Sequence, residues 1–237
     1  MKRALLLLLV CAFGLAADVD RVSAGEGVRL EVLGGHCKVQ PIGSGVWFQR
    51  EYPHTLDLTS GCFHVSISEI LTRRGKWGYG LRLGYADLGT TRMDSEFAVL
   101  DHEQHLVPNG DNCHPATFSG CKARGRSAQR VQGISFGALA ERQTGSRTTV
   151  GFEAGIFVYS GSFDVSIDVY GMPTYTRWDL HWQGEQLSPY LGVTMQHGHL
   201  LMLARVYTAI RAAEHGCGGC SGFTQGPAGF VGIGASF

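Results

Sequence analysis

The sequence predicts an all-β fold: an eight-stranded antiparallel up-and-down transmembrane β-barrel with long extracellular loops and short periplasmic turns. Three observations support this prediction. Apolar residues recur at every second position in eight segments, which is the period of a β-strand. The connections between these segments alternate between long and short, as in barrels that cross membranes. The last segment has the pattern of a strand that closes a sheet on itself.

That last segment spans residues 226–237 and alternates between two faces. Val231, Ile233, Ala235 and Phe237 share one face, and small or polar residues occupy the other. An unpaired strand edge invites aggregation, and a bilayer offers no water to satisfy backbone groups. Closure of a barrel by this strand removes the edge. The final strand of a soluble secreted β protein is the alternative interpretation.

Residues 27–35, 61–71 and 75–89 form the first three predicted strands. The third has the clearest pattern, because its apolar face is aromatic at both ends and aliphatic in the middle. This layout matches the two aromatic girdles and the hydrocarbon band of a bilayer. Over the whole chain, the aromatic residues predicted to face lipid are Trp77, Tyr79, Tyr85, Phe136, Phe152 and Phe237.

The remaining strands are predicted over residues 128–141, 147–161, 186–196, 200–211 and 226–237. Residues 90–127 are predicted to be a long polar loop. Residues 162–185 alternate as well, but Pro173 interrupts them, and we assign them to a hairpin that rises above the membrane. The segment 199–215 also reads as a helix that stops at Gly216. We keep a strand here because a helix would leave an odd number of spans.

Six cysteines follow the first 17 residues, and all of them fall on the side of the long connections. An even number in an exported chain suggests disulfides. We expect Cys37 to pair with Cys62, although six cysteines permit 15 pairings. The other expected pairs are Cys113 with Cys121 and Cys217 with Cys220. The last two form CGGC, half of a zinc motif, but no second CxxC accompanies them, so no metal is predicted.

The first 17 residues have the pattern of an export signal. Lys2 and Arg3 precede an apolar run that is too short to span a bilayer, and small residues follow it. Cleavage as late as residue 24 is possible, and residues 25–237 form the predicted barrel domain. Removal of this signal takes two of the 20 basic residues and none of the 20 acidic ones. The resulting charge of 18 minus 20, or −2, gives no indication of a nucleic-acid partner.

The lumen of an eight-stranded barrel is filled by side chains or holds one small ligand. The charged residues predicted to face inward are Arg29, Glu31, Arg82, Glu153 and Arg205. Because buried charges must be paired to be tolerated, we expect an ion-pair network that plugs the barrel. A narrow, gated, porin-like channel for small solutes is the alternative function.

Catalysis by a nucleophile requires a base within hydrogen-bond reach, oriented by a third group. His64, Ser66 and Ser68 share a face, so a lipid-modifying barrel enzyme is a second alternative. Alternate residues of a strand lie about 7 Å apart, and no carboxylate is placed to orient His64. We therefore expect no enzymatic activity and no cofactor.

Three segments carry a family likeness: YGLRLGYADLG over residues 79–89, SPYLGVTM over 188–195, and the terminal GIGASF. Together with the signal, they resemble the small outer-membrane barrels of the OmpA-like and opacity-protein type. The resemblance implies the bacterial outer membrane as the location, its lipid as surroundings, and insertion by the assembly machinery that reads the C-terminal strand. It also implies a structural or surface-interaction role, with a possible extracellular ligand on the loops. Full-length OmpA proteins carry a periplasmic domain that this sequence lacks after the barrel, so peptidoglycan attachment is not expected.

Overall fold

The computed structural model describes residues 27–41, 53–98, 122–169, 176–211 and 224–237. These ranges contain nine β-strands. They are β1 (Arg29–Pro41), β2 (His54–Asp57), β3 (Thr59–Arg74), β4 (Trp77–Ala98), β5 (Lys122–Gln143), β6 (Thr148–Val169), β7 (Thr176–His197), β8 (Leu200–Arg211) and β9 (Thr224–Ser236). Among the described residues there is no helix of the length and apolarity needed to cross a membrane.

Eight of these strands close into an antiparallel ring, which confirms the predicted fold. Each strand pairs with its neighbours in the order β1, β3, β4, β5, β6, β7, β8, β9, and β9 pairs again with β1. The short β2 pairs with β4 beyond the start of β3. When each residue is followed to its paired residue on the next strand, once around the ring, the path that starts at Ser68 of β3 returns to this part of the chain at Leu58. This shift of 68 minus 58, or ten residues, shows that the strands are tilted, as barrel closure requires.

The short turns lie at one end of the barrel together with the start of β1 and the end of β9. They span residues 75–76, 144–147 and 198–199, and Gly75 and Gly198 adopt φ angles of 60° and 59° there. Glycine tolerates these left-handed conformations without steric cost. The internal ranges that the structure does not describe all connect strands at the opposite end. The alternation of short and long connections is therefore as predicted.

A continuous apolar belt surrounds the outside of the barrel. Its large side chains are between 36% exposed, at Tyr85, and 69% exposed, at Phe237. Its members are Val28, Leu30, Val32, Phe63, Ile67, Leu71, Tyr79, Leu81, Tyr85, Phe136, Phe152, Ile156, Val158, Leu187, Leu191, Val193, Met195, Leu200, Met202, Val206, Val231, Ile233 and Phe237. A soluble monomer rarely exposes so large a contiguous apolar surface, whereas a closed barrel with this belt fits a lipid bilayer.

Four strands continue well beyond this belt. Strands β4 to β7 each have 22 residues, whereas β1 and β9 have 13 and β8 has 12. The continuation, which we call the extension sheet, comprises residues 90–98, 122–132, 160–169 and 176–186. The prediction that residues 90–127 are a loop was thus too broad, since β4 extends to Ala98 and β5 begins at Lys122. Residues 162–185 do rise as a hairpin, formed by the continuous strands β6 and β7.

A β-bulge explains why the sequence pattern concealed the upper part of β4. The pairing of β4 with β5 shifts between Asp87 and Thr90. At the bulge Gly89 has φ +77°, and its N–H donates to the Asp87 carboxylate at 2.9 Å. Odd-numbered residues face outward below the bulge and even-numbered ones above it. An alternation extended from the belt therefore assigns the wrong face to each residue above Gly89.

The competing helix over 199–215 is not formed over residues 200–211, where β8 is a strand. Leu201, Leu203, Arg205 and Tyr207 alternate inward and are at most 2% exposed. β8 pairs with β7 on one side and with β9 on the other. Local helix propensity is overridden because both neighbouring strands need a partner to close the ring.

Candidate functional site

An ion-pair network fills the middle of the lumen. Four of the five predicted charged residues meet there: Glu31 of β1, Arg82 of β4, Glu153 of β6 and Arg205 of β8, each at most 3% exposed. Arg82 binds both carboxylates, with Nη2 at 2.9 Å from Oε1 of Glu31 and Nη1 against Glu153. Nε of Arg205 donates to the other Glu153 oxygen at 2.7 Å. Two guanidiniums balance two carboxylates, so the network carries no net charge.

Strand β3 completes the coordination of Glu31. The hydroxyl groups of Ser66 and Ser68 donate to its two oxygens at 2.7 and 2.8 Å. Consecutive inward residues of one strand thus bind the carboxylate of the neighbouring strand. Because both serine hydroxyls are committed to Glu31, Ser66 is not hydrogen-bonded to His64, and these side chains form no nucleophile–base pair in this structure.

His64 instead borders Arg205, whose Nη1 lies 3.1 Å from Nε2 of the imidazole. Arginine stays protonated in proteins, so Nε2 must accept this hydrogen bond and the ring proton must be on Nδ1. His64 is therefore a neutral imidazole in this arrangement. Its Nδ1 is buried and has no hydrogen-bond partner within the described part of the chain.

An aromatic layer packs directly beside this network. The guanidinium of Arg205 lies 4.2 Å from the ring centre of Tyr190, a cation–π contact. Phe157 and Tyr207 pack at 4.8 Å between ring centres. Phe157, Tyr190, Tyr207 and Phe230 are each at most 1% exposed. Within the described residues, the lumen at this level is closed by packed side chains.

Glycines on the inner face provide the space for these side chains. A Cβ atom at Gly137 would lie 2.3 Å from the Tyr190 hydroxyl, and one at Gly192 would lie 2.5 Å from a carboxylate oxygen of Glu153. These positions face the largest residues of the lumen. The inner face therefore alternates large and small residues across neighbouring strands.

Arg29, the fifth predicted member, lies apart from the network at the short-turn mouth. It donates to Glu141 at 2.9 Å and to Gln196 at 3.2 Å. Arg73 approaches the same Glu141 at 3.7 Å. Sequence reasoning missed Glu141, although it faces inward at the end of a predicted strand and is the nearest acidic partner for Arg29.

One of the expected disulfides lies in the barrel wall. Cys37 of β1 and Cys62 of β3 are bonded, with Cα atoms 5.9 Å apart. Both are buried, at 1% and 7% exposure. The pairing is therefore confirmed. Cys113, Cys121, Cys217 and Cys220, which carried the other expected disulfides, lie outside the described residues.

The outer face of the extension sheet is covered by charged pairs. Arg124 binds Asp94 with two hydrogen bonds of 2.8 Å each. Arg126 lies between Asp94, at 3.6 Å, and Asp168, at 3.5 Å. The hydrogen bonds from Arg124, with the charges of both arginines, lower the pKa of Asp94 from its ordinary value. The outer face of the extension sheet is therefore hydrophilic, unlike the apolar belt below it.

The same face continues onto β7. His181 contacts Asp164 of β6 at 2.5 Å between Nδ1 and Oδ1. Asp179 accepts hydrogen bonds from Ser166 and from Arg177, and these bonds lower the pKa of the Asp179 carboxyl. The sequence predicted the hairpin over residues 162–185 but not these pairs, because the alternation along each strand does not reveal the register between the two strands.

A shallow groove lies on this face. It has a volume of about 490 Å³. Its lining includes the charged residues Arg92, Asp94, Arg126 and Asp164. The groove is open to solvent and presents both signs of charge.

Comparison with known proteins places the chain by its fold alone. No family model matches the sequence, and no curated protein matches it. Among solved structures, it is similar to Ail, the attachment invasion locus protein of Yersinia pestis, at 10% identity, 89% coverage of this chain, 97% of that one and a TM-score of 0.41. Ail in complex with the heparin analogue sucrose octasulfate matches at 9% identity, 89% and 99% coverage and a TM-score of 0.41. The outer membrane protease OmpT of Escherichia coli matches at 10% identity, 91% and 98% coverage and a TM-score of 0.43.

The fold defines the class of protein: an antiparallel β-barrel of the kind found in bacterial outer membranes. At these identities the likeness extends to fold and to nothing finer. One expectation is corrected here. The prediction that the chain has no enzymatic activity is wrong as an exclusion, because OmpT, a protease, has a similar chain path. A barrel of this kind does not by itself exclude an enzyme.

Proposed function

We propose that this protein acts at the bacterial surface, as an outer-membrane barrel that holds the extension sheet outside the bilayer as an interaction surface. The observation that carries the proposal is the continuation of β4 to β7 beyond the apolar belt as paired strands with a charged outer face. Regular pairing keeps this sheet rigid, which lowers the entropic cost of binding a partner.

The packed lumen supports this role over a solute channel. The Glu31–Arg82–Glu153–Arg205 network and the aromatic layer beside it occupy the centre of the barrel. A permeant solute would have to displace side chains that are paired in a low-dielectric interior, which is costly. We retain the narrow gated channel as the alternative that the first experiment decides.

The remaining sequence interpretations are part of the proposal. Residues 1–17 serve as the export signal, and the C-terminal strand directs insertion by the outer-membrane assembly machinery. We also propose, from the segments that resemble them, that the chain is related to the small barrels of the OmpA-like and opacity-protein type. Its ligand binds outside the membrane, and the lipid of the outer membrane surrounds the belt.

Two experiments test the proposal, and the first uses the purified protein. The purified protein in mild detergent should migrate differently on a gel before and after boiling, and it should give no steady openings in a planar bilayer. Steady single-channel conductance would replace the surface role with the channel.

The second experiment removes the part of the extension sheet formed by β6 and β7 and keeps the barrel. Deletion of residues 164–181, which face each other across β6 and β7, is joined by an Asn-Gly turn that suits a two-residue hairpin. Cells that display the full chain should bind cultured epithelial cells or heparin-coated wells, and cells with the shortened hairpin should not. Heparin is included because Ail was crystallised with a heparin analogue. Equal binding by both strains, with both barrels folded, would contradict the proposal.

A further inference from the structure

A row of basic side chains borders the apolar belt at the short-turn end of the barrel. Arg74 of β3 pairs with Trp77 of β4, and Trp77 pairs with Arg142 of β5. The three residues therefore lie side by side on neighbouring strands, and we call them the basic row. Both arginines are exposed. Arg142 lies over the indole of Trp77, with its guanidinium carbon 5.8 Å from the ring centre.

The basic row belongs to the outer face of the barrel. Tyr79 faces outward in the belt, and Trp77 is two residues from it on the same strand, so both point to the same side. Their rings are stacked, with centres 6.5 Å apart. Lys76 adds an exposed cation in the adjoining turn. The carboxylate of Glu141 points into the lumen instead, where it binds Arg29.

A second groove, which we call the belt groove, begins next to the basic row on the same outer face. Its volume is about 820 Å³. Each strand from β5 to β9 contributes two outward residues and the inward residue between them, for example Phe152, Glu153 and Ala154 on β6. The inward residues pair with one another from strand to strand. The belt groove therefore runs perpendicular to the strands, between two rows of belt side chains.

The belt groove rises from the short-turn end toward the middle of the bilayer. It begins at Tyr79 and Ala140, each two residues from a member of the basic row, and ends at Val231 of β9. Five strand spacings of about 4.8 Å make it about 24 Å long. The shift from Ser68 to Leu58 around the ring shows that the pairing moves toward the long connections from β4 to β9. With a strand tilt of about 40°, the rise is about 15 Å, half the hydrocarbon thickness of a bilayer.

We propose that the barrel binds one phospholipid with a negatively charged headgroup, its phosphate on the basic row and one acyl chain in the belt groove. The inference goes beyond the surface role and rests on the same orientation, with the short turns on the periplasmic side. A guanidinium binds phosphate oxygens through two parallel hydrogen bonds, and tryptophan and tyrosine suit the headgroup level. A chain that starts at the basic row and follows the belt groove crosses one leaflet.

The sign of the headgroup follows from the charges at this edge. Arg74, Lys76 and Arg142 carry three positive charges. Glu69 shares the outer face, but it pairs with Leu81, about 13 Å along β4 from the basic row. A zwitterionic headgroup brings its own ammonium to these cations, whereas phosphatidylglycerol brings only the phosphate. The site should therefore prefer phosphatidylglycerol, and the preference should fall as salt is added.

The test is native mass spectrometry of the purified protein in a mild detergent that retains bound lipid. Dioleoyl phosphatidylglycerol is compared with dioleoyl phosphatidylcholine, which has the same chains and no net charge. We expect one phosphatidylglycerol per barrel, bound about thirtyfold more tightly than phosphatidylcholine because two arginines face the phosphate. Arg74→Gln with Arg142→Gln should bind the two lipids alike. Arg92→Gln with Arg126→Gln, the same change on exposed residues of the extension sheet, is the matched control and should keep the preference.

A second pair of variants tests the acyl chain. Ala154→Leu places a larger apolar side chain in the belt groove and should weaken the binding of both lipids about tenfold. Ala235→Leu is the matched control, because Ala235 lies on β9 four residues from the end of the groove at Val231, toward the short turns. Glycerol phosphate, which has the headgroup but no chain, should not displace the bound lipid.

Each part of the site can fail separately. Equal binding of the two lipids by the wild-type protein, or a preference that survives Arg74→Gln with Arg142→Gln, would overturn the headgroup site. The same affinity in Ala154→Leu and Ala235→Leu would overturn the chain site. Heat modifiability must be the same for every variant, so that each barrel is known to be folded. If cells still bind epithelial cells or heparin while the lipid preference is absent, the lipid site is refuted and the surface role stands.

Discussion

Glu153 is the residue on which the luminal network depends most, because its carboxylate binds both buried arginines. Glu153→Gln keeps the size of the side chain and removes its charge. Arg82 then retains only Glu31, and Arg205 retains His64, Ser135 and Tyr207, none of which is an anion in this arrangement. The lumen gains one uncompensated positive charge.

The magnitude follows from the geometry. Each guanidinium near Glu153 contributes about 4 kcal/mol of attraction at an effective dielectric of about 20. Part of this is offset by the desolvation that the charges already sustain, and removal of one partner from a buried pair costs about 3–5 kcal/mol. We expect Glu153→Gln to lower the free energy of unfolding by that amount.

The assay is urea unfolding of the barrel in phospholipid vesicles, followed by the fluorescence of its four tryptophans. Glu185→Gln, an exposed change on the extension sheet, is the matched control and should stay within about 0.5 kcal/mol of wild type. In a double-mutant cycle, Glu153→Gln with Arg205→Gln should be less destabilised than the sum of the single variants, by about 0.5–3 kcal/mol. A loss below about 1 kcal/mol for Glu153→Gln would show that the network is no stronger than a surface ion pair.

Three further changes probe other parts of the structure. Gly137→Val should cost about 1–3 kcal/mol by overpacking against Tyr190, whereas Gly34→Val, with nothing within 4 Å of the new Cβ, should be tolerated; equal stability of the two would refute the packing argument. Replacing Cys37 and Cys62 by serine removes a crosslink of sequence separation 25 and should lower the free energy of unfolding by about 3 kcal/mol. The same urea midpoint for the wild-type protein under reducing and oxidising conditions would contradict this expectation. Because hydrogen bonding from Arg124 lowers the folded-state pKa of Asp94, its contribution is present above the unfolded-state pKa and is lost as pH falls through the folded-state pKa. The stability difference between wild type and Asp94→Asn should therefore be below about 1 kcal/mol at pH 7 and vanish in acid, and a difference that grows in acid would reverse the assignment.

The membrane-spanning half of the fold could be predicted from the sequence because lipid and lumen impose opposite requirements on alternate residues. The predicted faces of residues 77–85 are correct, because each outward residue had to be apolar and each inward one small or charged. The inward placement of Glu31, Arg82, Glu153 and Arg205 followed from the same rule. Which of them touch could not follow, because contacts across the lumen depend on the ten-residue shift around the ring, which no single strand encodes.

The part of the extension sheet formed by β4 and β5 was predicted as a loop, whereas the part formed by β6 and β7 was predicted as a hairpin. Above the belt the outer face meets water, so Asp164, Ser166 and Asp168 lie outside, while Phe163 and Val165 are buried inside. The alternation continues above the belt, but there the outward residues are polar and the inward residues are apolar, the reverse of the belt. Polar residues in such a stretch resemble a loop. In β4 the bulge at Gly89 adds a change of phase. Glu141 was missed differently: its partner Arg29 is 112 positions away in the chain.

One rule connects the two halves of the barrel. Each strand keeps its inner face buried throughout, and its outer face matches the surroundings, so the height at which outward residues change from apolar to charged marks the membrane surface. On β7 that change falls between Leu187 and Glu185. Pro189, two residues below, ends the pairing with β8 just before it. Within the described residues, β7 thus keeps its pairing with β8 from Tyr190 to His197, through most of the belt, where lipid would leave backbone groups without partners.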